Sequence, residues 1–257
     1  MFRPCIVTPW RMPGVTVVVP CYNEASRIDG DAFFGLCAVA DVLFVDDGSI
    51  DATAARVTEI AARRPEHMAV VSLERNGGKG EAVRHGMRHA LDAGADIVGY
   101  LDADLSTPVS EMVRLAGIIR DRGMDVVMGS RVALLGTDIE RSAVRHYLGR
   151  VFATAASLIL RAPVYDTQCG AKLFRRSPAL VAALADPFLS RWAFDVELLG
   201  RLLTGADALP LASIIEVPLA EWKDVPGSKL HVGSMVVAAR DMAKIAADIA
   251  RRRSQKR

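Results

Sequence analysis

A chain of 257 residues can form one large domain, or one domain with a lobe, and can bury a sizeable core. A formal charge of +2, with no RNA-reading aromatic motif, argues against nucleic acid as the main partner. Cys5, Cys21, Cys37 and Cys169 form no CxxC pair and no metal-finger spacing, which excludes a disulfide framework and fits reduced thiols in a cytosolic compartment.

The first apolar run, 15–19, ends in Pro20-Cys21-Tyr22-Asn23-Glu24. A second, 42–46, runs into Asp46-Asp47-Gly48-Ser49 and is followed by a helix over 52–62, capped by Ser49 or Asp51. After a strand at 69–73, Asn76-Gly77-Gly78-Lys79-Gly80 opens a helix over 79–93. Its apolar face carries Ala82, Val83, Gly86, Met87, Ala90 and Leu91, and Gly94 stops it. The strand at 96–102 delivers Asp102-Ala103-Asp104, and Pro108 opens a helix to about Arg120. The strand at 125–129 leads to Ser130 and Arg131. This alternation means an α/β fold: a mostly parallel sheet flanked by helices.

After residue 130 the rhythm changes. A helix is expected over 140–160, irregular chain with short strands over 161–176, and helices near 178–185 and 191–204. A strand follows at 213–218, then a loop over 221–233 rich in Pro, Gly and charge. The final helix, from 234, lines up Met235, Val236, Ala239, Met242, Ile245, Ala246 and Ile249, and ends in a basic tail of Arg251-Arg252-Arg253, Lys256 and Arg257. That tail suits an anionic membrane surface. No secretory signal is expected at Met1-Phe2-Arg3-Pro4, and the longest uncharged apolar run, 151–160, is about half of a membrane span. The helices at 140–160 and 234–250 can lie in a membrane interface, or can be core packing or a homodimer seam.

Carboxylates delivered from buried strand ends are costly unless a cation neutralises them, and Mg2+ or Mn2+ takes carboxylate oxygens together with substrate phosphates. Asp102 and Asp104 are therefore the expected metal pair. Asp47, at its own strand end, suits a base N–H or a ribose hydroxyl. The glycine-rich start of the helix at Lys79 suits an anion, although it is not a Walker A loop. Arg131, Arg141, Arg145 and Lys229 form a set able to hold a second phosphate. Asp195 stands open as a helix cap, a structural partner for an arginine, or a base.

Together, 18–24, 45–49, 76–80 and Asp102-Ala103-Asp104 resemble the family 2 glycosyltransferases of the GT-A fold. Asp166-Thr167-Gln168-Cys169-Gly170-Ala171-Lys172, 191–197 and Val225-Pro226-Gly227-Ser228-Lys229 narrow the likeness to the polyprenyl-phosphate sugar synthases, nearest the dolichyl-phosphate glucosyltransferase branch. The resemblance covers about 15–232. It implies a single GT-A domain over 1–257, with a nucleotide-sugar half at 15–130, an acceptor half at 131–233, and an amphipathic helix and tail at 234–257. It implies that Pro20, Tyr22, Asn23, Glu24, Asp46, Asp47, Lys79, Asp102 and Ala103 surround a UDP-sugar, with UDP-glucose favoured. Asp102 and Asp104 then hold Mg2+ or Mn2+ and, with Arg131, form the catalytic set, while Arg131, Arg145 and Lys229 meet a polyprenyl phosphate.

Two rival reactions share these residues: mannosyl transfer from GDP-mannose to the same acceptor, and transfer to an alcohol with Asp195 as base. Ser106 stands where the mannosyl branch often has a glutamine near the metal. The expected location is cytoplasmic and peripheral on the membrane's cytoplasmic face, through amphipathic segments, since neither the terminal anchor nor the spanning helices of some relatives are recognised.

Overall fold

The computed structural model describes residues 14–140, 143–224 and 232–255, the side chains of 140, 143–148 and 232–236 excepted. The strands are β1 Val15–Cys21, β2 Asp41–Asp46, β3 Met68–Ser72, β4 Ile97–Leu101, β5 Val126–Ser130, β6 Asp138–Glu140, β7 Ala171–Arg175, β8 Ile214–Pro218 and β9 Glu221–Lys223. The helices are α1 Gly30–Phe33, α2 Thr53–Ala62, α3 Lys79–Asp92, α4 Val109–Asp121, α5 Ala143–Leu160, α6 Pro178–Ala183, α7 Phe194–Thr204 and α8 Val232–Gln255. Seven strands form one sheet in the order β3-β2-β1-β4-β7-β5-β8, and β6 pairs with β9 in a small parallel ladder.

The apolar runs become central strands because both of their faces are covered. Val18 faces a core layer shared with α3, α5, α6, α7 and α8, while Val17 and Val19 face the layer shared with α1, α2 and α4. All three are fully buried, each worth about 1.5–3 kcal/mol. Helix α3 lies close on β1 and β2: a Cβ at Gly86 would sit 2.5 Å from Val18.

Strand β7 is antiparallel to both β4 and β5, so the sheet is mixed at its centre. It forms inside the stretch read as irregular with short strands. The 221–233 stretch is not all loop, because β9 occupies its first three residues and Trp222 is buried there. The helix expected from 191 begins at Phe194, since the Ser190 hydroxyl first accepts the N–H groups of Trp192 (3.3 Å) and Ala193 (2.8 Å). At α2, Asp51 takes the capping role by accepting the Thr53 N–H at 2.9 Å.

Of the alternatives for the last helix, core packing holds for Met242, Ile245 and Ile249, which are buried in the layer shared with α5 and α7. Its basic end has internal partners. Arg251 and Arg252 pair with Asp248, and Arg253 donates to the carbonyls of Ile159 (3.1 Å) and Leu160 (2.6 Å) at the end of α5. Lys256 and Arg257 lie outside the described residues.

Candidate active site

The ends of β1, β2, β4 and β5 open on one crevice, the place where open α/β sheets bind ligands. Two loops are laced together at its first wall. Asn23, with φ at +54°, accepts the Ile50 N–H at 3.0 Å, and its own N–H donates to Ser49 at 3.1 Å. The Glu24 N–H donates to Thr53 at 2.7 Å, and its carboxylate grips Arg27 at 2.7 and 2.9 Å. Asn23 and Glu24 thus brace the wall, and Tyr22 leaves its ring 43% exposed beside it.

Asp46 accepts the Ser49 N–H at 3.3 Å and closes the turn at Gly48. Gly48 has φ at +64°, and a Cβ there would sit 2.6 Å from the Arg75 backbone, so only glycine fits. Asp47 is buried, and its two oxygens each accept one N–H at 2.8 Å, from Gly77 and Gly78. Burial raises its pKa above the usual carboxylate value, in spite of those bonds. Its structural task is to hold the glycine-rich loop against the crevice. Arg191 clasps the same loop from α7's side, donating to the Asn76 carbonyl at 3.3 Å.

That loop places Lys79, the first residue of α3, with Nζ 2.6 Å from Asp102 Oδ1. Burial works against the Lys79 charge, but Asp102 and then Asp195 outweigh it and hold the ammonium above the usual lysine range. Asp102 is fixed through its backbone, its N–H donating to the Gly170 carbonyl at 3.0 Å. A Cβ at Gly170 would lie 2.1 Å from Asp102 Oδ2, so no larger residue leaves that carboxylate where it is. Leu105 then turns the chain with φ at +52°, a conformation costing about 1–3 kcal/mol that tight functional turns retain. Asp104 accepts the Ser106 N–H at 3.0 Å.

Among the described residues no group of three His, Cys, Asp or Glu side chains gathers to hold a metal. The pair Asp102 and Asp104 nevertheless suits Mg2+ or Mn2+, which bind through one or two carboxylates and complete their shell with phosphate oxygens and water. The position already draws a cation, since an ammonium rests on Asp102.

On the far side, Arg131 is not a solvated charge. Its Nε and Nη2 form a fork with Asp166 at 2.7 and 2.8 Å, its backbone N–H adds a third bond at 3.0 Å, and its guanidinium lies 5.4 Å from the Trp222 ring. Burial disfavours the Asp166 carboxylate, yet Arg131 holds it well below the usual carboxylate range. Glu216 on β8 supports this loop by accepting the N–H groups of Tyr165 and Asp166, both at 2.7 Å. Arg145 lies on α5 with its side chain outside the description, and Arg141 and Lys229 lie outside the described residues.

Beneath the pocket is a polar network. Lys172, 1% exposed in the otherwise apolar strand β7, donates to Asp195 at 2.7 Å and to the Cys169 carbonyl at 2.5 Å. Asp195 also accepts the Tyr100 hydroxyl and, at 3.4 Å, the Gln168 amide. Burial, followed by Asp195, raises the Tyr100 pKa well above its ordinary value, so the hydroxyl keeps its proton. Of the three readings of Asp195, a structural partner is what the geometry supplies, with a lysine in place of the arginine. Lys172, Asp166 and Gly170 lie in a motif that sequence reasoning used only for likeness, and a lysine interrupting an apolar strand was the available signal.

A crevice of this kind, lined by an acidic turn and a cationic glycine-rich helix start, suits a nucleotide diphosphate, and the comparisons make the class a glycosyltransferase of the GT-A type. Residues 16–180 match Glycosyl transferase family 2, and the chain belongs to that family. Among its relatives is the dolichyl-phosphate beta-glucosyltransferase of Dictyostelium discoideum, 32% identical over 253 residues, covering 90% of this chain and 73% of that one. The Saccharomyces cerevisiae protein of the same name is 31% identical over 259 residues, covering 91% and 72%. By fold the chain is similar to a mannosyltransferase from Pyrobaculum calidifontis solved with GDP-Man and Mn2+, with a TM-score of 0.61 at 20% identity, covering 95% of this chain and 66% of that one. Staphylococcus aureus TarS 1-349 in complex with UDP gives a TM-score of 0.56 at 18% identity, covering 95% and 70%.

Proposed function

We propose that this protein transfers glucose from UDP-glucose to the phosphate of a dolichyl-type polyprenyl lipid, with inversion at the anomeric carbon and with a divalent metal. The observation that carries the reading is the Asp102–Asp104 turn with Lys79 paired to it at 2.6 Å at the end of β4. The names of the relatives supply the sugar and the acceptor class.

The acceptor oxygen is already an anion, so attack needs no general base, and the structural engagement of Asp195 is consistent with that. Asp102 and Asp104 would hold Mg2+ or Mn2+, which supplies neutralisation of the charge growing on departing UDP. The remaining work falls to the chain. Tyr22 offers a ring face to the base. Asp47 keeps the Gly77–Gly78 backbone in place beneath the diphosphate, and Lys79 brings a positive charge to it. Arg131 spends two nitrogens on Asp166, so Nη1 is what it offers the acceptor phosphate. The test is a panel of labelled UDP-glucose, UDP-GlcNAc and GDP-mannose with a short polyprenyl phosphate. Labelled lipid from UDP-glucose is expected; label arising from GDP-mannose alone would overturn the donor, and label on a polyprenol lacking phosphate would overturn the acceptor.

A polyprenyl-phosphate acceptor would be met at a membrane surface. No described helix is long and apolar enough to cross one. We place it peripherally on the cytoplasmic face, through the outward side of α5, where Val151 and Leu158 are 70% and 73% exposed and Phe152 packs on Trp192. Flotation with liposomes is expected, and a Val151→Ser/Leu158→Ser variant that floats as well as the parent would refute this face.

A further inference from the structure

The geometry points to Lys79 as the resident counter-ion of Asp102: it rests on that carboxylate until donor and metal bind together, and then transfers to the donor's diphosphate. This rests on the metal reading above and goes beyond it, because it assigns the lysine two successive partners and makes the two ligands depend on each other.

Three observations support it. First, Lys79 Nζ lies 2.6 Å from Asp102 Oδ1, an oxygen closed to solvent. A carboxylate oxygen removed from water without a cation is costly, so the ammonium stabilises it. Second, the Lys79 side chain is part-exposed and begins α3 directly after Gly77 and Gly78, on the side of the pocket where a diphosphate would meet the helix start. Third, the carboxylate sits in a close fit: the Asp102 N–H is bonded to the Gly170 carbonyl at 3.0 Å, and a Cβ at Gly170 would lie 2.1 Å from Oδ2, so glycine leaves the carboxylate its place beside the lysine.

A metal arriving alone must therefore displace an ammonium from the oxygen it needs, and leave that ammonium close by as an unpaired like charge. With a diphosphate present, the lysine gains a dianionic partner and the oxygen is released. Metal and nucleotide should consequently favour each other, and such coupling is reciprocal.

The experiment measures free Mn2+ by electron paramagnetic resonance during titration of the full chain, with and without UDP. The proteins are wild type, Lys79→Met, Lys79→Arg and Asp102→Asn, each confirmed as folded by thermal melting. Wild type should bind Mn2+ weakly alone and about tenfold or more tighter with UDP, within the usual range of coupling between sites. Lys79→Met should bind Mn2+ alone about tenfold tighter than wild type and gain little from UDP, and Lys79→Arg should keep the wild-type pattern. Unchanged or weaker Mn2+ binding by Lys79→Met without UDP overturns the proposal. If that happens while Asp102→Asn abolishes Mn2+ binding, the counter-ion role alone falls. If Asp102→Asn binds Mn2+ like wild type, or wild type binds none even with UDP, the metal reading falls and the proposal falls with it.

Discussion

Asp104→Asn is expected to lower sugar transfer by at least about 10²–10³-fold, the loss typical when one group that stabilises developing charge is removed. Folding should scarcely change. Asp104 lies in the loop after β4, and the hydrogen bond its carboxylate accepts among the described residues, from the Ser106 N–H at 3.0 Å, can be kept by an amide oxygen. What the variant loses is half of the anionic charge the turn offers a divalent cation. Asp102 is then the one carboxylate of the turn facing the divalent cation, where the pair supplied two. The check is turnover in excess Mg2+ or Mn2+ together with a melting curve. Near-normal turnover at normal stability would remove Asp104 from the catalytic set.

Lys172→Met should destabilise the protein by about 3–5 kcal/mol, the range for deleting one partner of a buried ion pair. For a chain of this size that corresponds to a fall in Tm of roughly 6–20 °C. The methionine fills most of the lysine's volume, so the loss comes from charge. Asp195, 5% exposed, would keep the Tyr100 and Gln168 donors but no cation within bonding distance. Changing Asp195 to Asn in the same chain should restore part of the stability, because the amide carries no charge to be compensated. Catalysis should suffer as well. Lys172 also holds the Cys169 carbonyl at 2.5 Å, and the next residue, Gly170, anchors Asp102. A Tm within 2 °C of the parent, a shift worth about 1 kcal/mol or less, would refute the network's importance.

Much of this was legible before any coordinates. The runs at 15–19, 42–46, 69–73, 96–102 and 125–129 coincide with β1 to β5 to within one or two residues; β1, β2, β4 and β5 are written as apolar segments because both their faces are buried, and β3, at the edge, is only partly buried. The acidic turn and Arg131 are legible for a related reason: polar groups directly after such runs have few places to go except the crevice, while Lys79 is legible from the glycine-rich start of its helix. The placement of β7 is not legible. It joins β4 and β5 by antiparallel pairing across long stretches of chain, and Lys172 breaks its apolar pattern. Partners are harder still. Asp166 meets Arg131 from 35 residues away and Lys172 meets Asp195 from 23, and nothing local announces either pairing. Arg131 and Asp195 were therefore visible as charges but not as members of buried pairs.

The antiparallel strand has one more consequence. The segment 15–130 is continuous in sequence but is not a separable folding unit, because β7, from later in the chain, fills the gap between β4 and β5. A fragment ending at Ser130 would leave the facing edges of both strands bare, and bare edges with fully buried side chains invite aggregation. The same zipper denies the enzyme a hinge between its halves: gripping and releasing substrates is left to the loops at the rim, while the sheet beneath them behaves as one plate.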